Sequence, residues 1–419
     1  MIGSELPKGW KLVPLKEITS IIRGVSYPKE EAKLHPEENY VHILRGGNIQ
    51  DGKIVFETDD NVYVNSSLVG EEQFVLKDDV VIVASTGSKK VIGKAATIEE
   101  DSRCISFGAF LLLLRTNVID KRFHSYFFQT QYYRNTISSL AGGININNIK
   151  KEHIENLQIP LPPLTEQKQI AEKLDKLFDQ IETIKEASNK IPELLKNFRQ
   201  QVLTYAVTGK LTNSDFAHWE KSTIGAIGKV KGGKRLPKGE ELVNYNTGYP
   251  YIRARDLKEG TVLKQNIMYL LPETQEKIKN YIVKTNDVYI TIVGAKIGDA
   301  GIIPEFMNNA NLTENAAKIT DLSEKIMPQY LSLWLQAPLC QSEIQQSIKS
   351  AAQGKLALTR INSLSVCFPP IESQKEIIDK VEYLLGELKI IESKFYQLQN
   401  ILEKLPQALL CKAFKGELL

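Results

Sequence analysis

The chain has 419 residues, of which 25% are charged and 42% apolar. That length suits two to four domains, and the balance excludes both a disordered chain and a fibre. Its 53 Lys and Arg nearly cancel its 50 Asp and Glu, leaving +3, so any grip on nucleic acid must come from local clusters of cations. The longest apolar run, residues 105–114, is about half the ~20 residues that cross a bilayer, and the N-terminal segment lacks the apolar stretch of an export signal. Four cysteines lie far apart with no C-x-x-C pair, which predicts reduced core thiols and a cytoplasmic protein outside the membrane.

In chain order, the first segment opens on Trp10 and a loop, RGVSYPKEE, that carries Arg23, Tyr27 and Lys29. LRGGNIQDG follows with Arg45 and Asn48, side-chain types that make paired hydrogen bonds to guanine and adenine in the major groove. The strings DDVVIVAS and FGAFLLLLR are short, rich in β-branched or apolar residues and bounded by turn formers, so they predict strands. Lys89, Lys90 and Lys94 come directly after the first of them. FHSYFFQTQYYRN reads as a helix whose aromatics belong to the core, and a Gly-rich turn, AGGININN, then carries Asn145 and Asn147.

The next stretch is helical. Ile170, Leu174, Leu177, Ile181, Ile184 and Ser188 are spaced alternately four and three residues apart, the seam of a coiled coil interrupted only by one serine. Thr165 is positioned to cap its start, Pro192 and, in the second copy, Pro406 predict a kink or short break, and Gly209 stands where a left-handed residue ends a helix.

The whole plan then recurs. Residues 162–211 align without a gap on residues 369–418 at a constant offset of 207, with Pro162 on Pro369, Gln167 on Gln374, Ala206 on Ala413 and Gly209 on Gly416. Trp219 opens the second half as Trp10 opens the first. The loop VKGGKRLPKGEE supplies Lys231, Lys234, Arg235 and Lys238, and its glycines would let a phosphate approach the backbone. IRARDLKEG brings Arg253, Arg255 and Asp256, Lys296 follows the strand-like NDVYITIVG, and AQGKLALTR adds Lys355 and Arg360. The competing reading of each cluster is an ordinary solvated loop. The second helix repeats the seam with Ile377, Val381, Leu384, Leu388 and Ile391, and Ser373 with Glu376 forms an S-x-x-E capping pattern. Each stripe needs a long partner, and the other copy is the natural one.

Motifs of catalysis are missing from this sequence. GSKKVIGKA has one residue too many for a phosphate-binding loop and ends in Ala95. LPPL and FPPI lack the polar residue and the aromatic of an amino-methyltransferase motif, no G-x-S-x-G elbow occurs, and the five histidines are isolated from one another. No catalytic residue, metal ligand or cofactor is assigned to this chain.

Two variable blocks that alternate with two copies of IPLPPLTEQKQIAEKL-like helices ending in AVTGKL or AFKGEL resemble the DNA specificity subunit of type I restriction-modification systems. The resemblance covers essentially the whole chain. It departs at Glu372-Ser373-Gln374, where the first copy has Thr165-Glu166-Gln167, and at Glu417, where the first has Lys210. It implies an α+β fold: two mixed α/β target-recognition domains, separated by two long helices that pair as an antiparallel coiled coil about an approximate two-fold axis. The expected boundaries are 1–158 and 212–365 for the recognition domains, and 159–211 and 366–419 for the helical spacers.

It also implies that each recognition domain reads one half of a bipartite site in double-stranded DNA. Two methyltransferase subunits, which use S-adenosylmethionine on adenine, and motor-nuclease subunits would be the partners. About 40 helical residues at ~1.5 Å each would form a spacer of roughly 60 Å. A coiled-coil scaffold that binds proteins, and a self-sufficient methyltransferase, are the alternatives. Salt-dependent duplex binding separates the first from DNA recognition, and S-adenosylmethionine binding by the chain alone identifies the second.

Overall fold

The structure, a computed structural model, describes residues 6–50, 52–56, 61–141, 147–212, 214–349 and 354–419. These form two compact units, one from Met1–Ser188 with Gln397–Leu419 and the other from Asn189–Tyr396. Each unit therefore takes one variable block and helical segments from both constant blocks.

In the first unit a four-stranded antiparallel sheet runs in the order Ser20–Arg23, Leu111–Arg115, Val80–Val83, Ala95–Thr97. Its two central strands read VVIV and LLLL because both faces are covered. Side chains alternate across a strand, so Val80, Ile82, Leu112 and Leu114 join a core with the helices. Val81, Val83, Leu111 and Leu113 join a second core on the opposite face. A three-stranded sheet, with Tyr40–Leu44 between Ile105–Phe107 and Val62–Asn65, completes that side. The FGAFLLLLR string, expected to be one strand, is split by a turn at residues 108–110 between Ile105–Phe107 and Leu111–Arg115. Lys11–Pro14 pairs with Gln158–Leu161, which ties the start of the block to the entrance of its helix.

The second unit repeats this order with Lys229–Gly232, Ala316–Thr320, Val288–Thr291 and Ala300–Ile302. Pro250–Ile252 lies between Asn311–Leu312 and Met268–Tyr269, and Glu220–Thr223 pairs with Ser365–Phe368.

The long helices are Leu164–Ser188, Ile191–Val207 and Ile371–Ala413. Pro192 produces the expected break, standing in the first turn of the middle helix, whereas the break expected at Pro406 does not occur: that proline stays inside an unbroken terminal helix. Thr165 and Ser373 do not cap. Both helices begin just after the Pro-Pro pair, and the carbonyls of Pro163 and Pro370 accept the first helical bonds. Proline lacks an N–H and is preset in φ, so it nucleates the turn before the hydroxyl residues are reached. Gly209 and Gly416 have φ of +77° and +74°, the left-handed termination expected of them.

Within each unit two helical segments pack antiparallel. In the first, Ile170, Ala171 and Leu174 share a core with Leu410, Ala413 and Phe414, while Gln399 Nε2 donates to the buried Ser188 Oγ at 3.0 Å. In the second, Val202, Leu203 and Ala206 share a core with Ile377, Ile378 and Val381. There Arg199 lies 3.9 Å from Glu392, and Lys380 Nζ donates to the Leu211 carbonyl at 3.3 Å. Of the seam residues, Ile170, Leu174, Ile181, Ile377, Val381 and Leu388 are buried, and Leu177 and Leu384 are half-buried. Ile184 and Ile391 are 44% and 51% exposed. Exposure rises along the column that holds both isoleucines, from buried Ile170 and Ile377 through half-buried Leu177 and Leu384 to Ile184 and Ile391, whereas Leu174, Ile181, Val381 and Leu388 of the other column stay buried.

The repeated glutamine locks each helix to its block. Gln167 Oε1 accepts the Asp120 N–H at 2.9 Å, while its Nε2 donates to the Pro162 carbonyl at 2.8 Å. Gln374 does the same with the Met327 N–H and the carbonyls of Lys325 and Pro369, each at 2.8 Å. Both side chains are buried, so truncation leaves main-chain groups unpaired in a dry site. Gln167→Ala and Gln374→Ala should each lower unfolding free energy by about 1–3 kcal/mol, measured by urea titration, while Gln169→Ala, at an exposed position, leaves it unchanged.

His124 is fully buried, with Nε2 at 2.8 Å from Thr19 Oγ1, and burial pushes its pKa down to about 3. A histidine depressed in the folded state stabilises fully above its unfolded pKa, and that stability is lost as pH falls towards the folded value. Unfolding free energy should drop by ~2 kcal/mol between about pH 6.5 and about pH 5. His124→Phe, compared by urea titration at both pH values, should remove that portion of the slope.

Candidate nucleic-acid interface

At one end of the central sheet in each unit, several loops are tied together by main-chain hydrogen bonds. In the first unit the turn at 107–110 is the hub. Val25 N–H donates to the Phe107 carbonyl at 2.7 Å, and Gly108 N–H to Leu44 at 2.9 Å. The N–H groups of Ala84 and Ser85 both reach the Phe110 carbonyl, at 2.9 and 3.0 Å, and Ile149 N–H reaches Ala84 at 2.8 Å. The loops holding Arg23, Tyr27, Arg45, Lys89 and Lys90 thus meet at one place.

The second unit has the same stitches around residues 312–316. Lys234 N–H donates to Leu312 at 2.8 Å, Thr313 N–H to Ile252 at 3.0 Å, Ile292 N–H to Asn315 at 2.8 Å and Leu356 N–H to Ile292 at 3.0 Å. These gather the loops of Lys234, Arg235, Arg253, Lys296 and Lys355.

The crossings are close. A Cβ on Gly24 would lie 2.1 Å from the Gly108 oxygen, and one on Gly233 would lie 2.0 Å from the Thr313 oxygen. Gly233, expected to let a phosphate approach, is instead needed where two protein backbones pass.

The side chains fall into two groups. Asn48 is buried, with Oδ1 accepting the Arg45 N–H and Nδ2 donating to the Val55 carbonyl, both at 2.8 Å. Asp256 holds the equivalent position. It accepts the Arg253 N–H at 2.9 Å and that residue's guanidinium at 2.8 and 2.7 Å, and the guanidinium also donates to the Asn266 carbonyl at 2.6 Å. Asn48 and Arg253 therefore build the loop frame.

Arg23, Lys29, Lys89, Lys90, Lys231, Lys238, Arg255, Lys296 and Lys355 are exposed, while Tyr27 and Arg45 are half-buried. Arg134 pins the lysine turn by donating to the carbonyls of Ile92 and Lys90 at 2.6 and 3.2 Å. Arg235 Nε donates to Glu314 Oε1 at 2.7 Å. Burial pushes the Glu314 carboxyl up, but the Arg235 bond helps hold it below the usual glutamate value. Lys234 Nζ sits 5.5 Å from the centre of the Tyr281 ring. Lys231 and Lys318 flank a cavity of about 280 Å³ lined also by Asn280 and Tyr281. Asn145 lies outside the described residues.

Sequence reasoning missed Phe110, which is 65% exposed at the hub of the first unit, because it sits in an apolar run that reads as one buried strand. It also missed Tyr281 and Glu314, which become neighbours of Lys234 and Arg235 only through folding.

Arg253→Ala should cost about 1–3 kcal/mol of unfolding free energy by removing the pairing with Asp256. Arg255→Ala should leave thermal unfolding unchanged. Calorimetry of the two variants checks the division between frame and surface.

The family model described as type I restriction modification DNA specificity domain matches residues 7–193 and again 217–400. The chain is 34% identical over 430 residues to the type I restriction enzyme EcoKI specificity subunit of Escherichia coli K12, covering 100% of this chain and 91% of that protein. It is 35% identical to the StySPI specificity subunit of Salmonella potsdam over 428 residues, with the same coverages. The crystal structure of the HsdS subunit from Thermoanaerobacter tengcongensis superposes with a TM-score of 0.69 at 17% identity, covering 99% of this chain and 98% of that one. With two matched copies of the domain and full-length relatives at this identity, the chain belongs to the family of type I restriction-modification DNA specificity proteins.

Proposed function

We propose that each unit reads one half of an asymmetric, interrupted site in double-stranded DNA with the stitched loops at the end of its central sheet. The helices would fix the separation of the half-sites. The observation that carries this reading is that one main-chain framework occurs twice while the exposed side chains on it differ. An identical frame presents two heads in the same way, and different residues on it give two different sequences to read. Exposed lysines and arginines supply phosphate anchors, with Lys89 and Lys90 on a loop of one unit and, in the other, Lys231 near the end of its strand with Lys238, Arg255, Lys296 and Lys355.

The chain acts as the specificity component of a type I complex, and the methyl transfer belongs to its methyltransferase subunits. Two of those subunits would dock on the helices. In the second unit Ile391 leaves apolar surface on a helix that also exposes Tyr383 and Tyr396, and in the first Ile184 does the same. Motor-nuclease subunits complete the assembly. No described helix is long and apolar enough to cross a membrane; the four thiols are free, Cys340 and Cys367 buried as expected but Cys104 and Cys411 exposed rather than in the core, and free thiols fit work on DNA in the cytoplasm.

Methylome sequencing of a host that expresses this chain with its partner subunits should yield one interrupted adenine motif, and deletion of the chain should erase it. Binding of the complex to a duplex carrying that motif should weaken linearly with log salt. Lys89→Ala with Lys90→Ala should reduce the slope by about 1 for each phosphate left without its lysine. A methylome with no chain-dependent motif refutes the reading.

A further inference from the structure

The hub of the first unit carries an aromatic ring in water. Leu111, Leu112, Leu113 and Leu114 are buried, yet Phe110, one residue before them, is 65% exposed. Its backbone is not loose: its carbonyl accepts the N–H groups of Ala84 and Ser85, and the turn is held from the other side by Gly108 N–H on Leu44. A ring on a rigid turn loses little conformational freedom on binding.

The same place in the second unit is identified by the same bonds. Asn315 accepts the N–H groups of Ile292 and Val293 at 2.8 and 3.3 Å, as Phe110 accepts those of Ala84 and Ser85. Its side-chain amide makes no hydrogen bond among the described residues. One position on the duplicated frame therefore holds a bare ring in one unit and an uncommitted amide in the other.

The loops tied to this position point to the occupant. Residues 84–98 contain Lys89, Lys90 and Lys94 and no acidic residue, and their first two N–H groups are those bonded to Phe110. An apolar ring on a turn bonded to a lysine-bearing loop suits a surface that is anionic outside and flat and aromatic within, which describes duplex DNA. Phenylalanine wedges unstack a base step, and asparagine amides make paired bonds to the N6 and N7 of adenine.

We propose that this shared position is a specificity-determining one in both heads: Phe110 enters a base step of the first half-site as a stacking wedge, and Asn315 bonds an adenine edge in the second. The proposal rests on the DNA reading above. Phosphate binding is assigned to other residues, so removal of the wedge alters sequence choice and stacking without altering the salt slope.

The test uses the full-length chain assembled with its methyltransferase subunits and a pool of duplexes randomised at every position of the site. Phe110→Ala should lower discrimination by about tenfold in one half-site only, Phe110→Trp should restore it, and Asn315→Ala should relax an adenine in the other half by about tenfold. With 2-aminopurine at the affected step, fluorescence should rise on binding of the unsubstituted complex and stay flat with Phe110→Ala. Thermal unfolding of Phe110→Ala should match the parent, since the ring is exposed. Unchanged selection in both half-sites by Phe110→Ala and Asn315→Ala, with the parent selecting a clear motif, overturns this proposal and leaves DNA recognition standing. A parent complex that selects no motif overturns both.

Discussion

Neither unit closes its core with its own variable block. In the first, the Phe123 and Phe414 rings stand 4.8 Å apart, and Gln407 accepts the Gln131 N–H and donates to the Gln129 carbonyl, both at 2.9 Å. Bonds spanning more than 270 residues of chain complete a domain that begins near the N-terminus. In the second, Val202, Leu203 and Ala206 come from the first constant block and Ile377 and Val381 from the other. Burial of apolar surface is the main favourable contribution to folding, so the helices are structural parts of the recognition units as well as connectors between sequence blocks. Such non-local closure also carries a loop-entropy cost that short-range folds avoid.

On this base the units present a repeated geometry with variable chemistry. The stitches are main-chain bonds, indifferent to side-chain identity, and the close crossings at Gly24 and Gly233 need only that no Cβ be present. The buried Asn48 and Asp256 serve as caps of the same short turn. Everything outside these few positions is free to carry a different surface, and the exposed cations, Phe110 and Asn315 occupy that free portion.

The parts legible in the sequence were those spread over many residues. A repeat held in register for fifty positions and a stripe of apolar residues at heptad spacing survive local exceptions, so the duplicated plan and the paired helices were readable. Helix starts were not, because Pro163 and Pro370 begin the turn ahead of the Ser and Thr that usually mark it. Arg253 and Asn48 were misleading for a different reason. An arginine three residues before an acid or amide has the composition of a base-reading loop, and the backbone conformation that turns such a pair inward is invisible in composition. Phe110 was hidden by its neighbours, since a turn within an apolar run leaves no mark in hydrophobic periodicity.

The one serine in the seam has a mechanical consequence. In the first unit Ser188 also donates to the Lys185 carbonyl at 2.8 Å, so its oxygen is held in place to receive Gln399. Sliding the terminal helix along its neighbour by one turn, ~5.4 Å, would part the two and leave a dry hydroxyl facing hydrocarbon, whereas a uniformly greasy stripe would tolerate the slip. The polar rung works as a detent, a click position that turns a slippery surface into a ruler with one fixed reading.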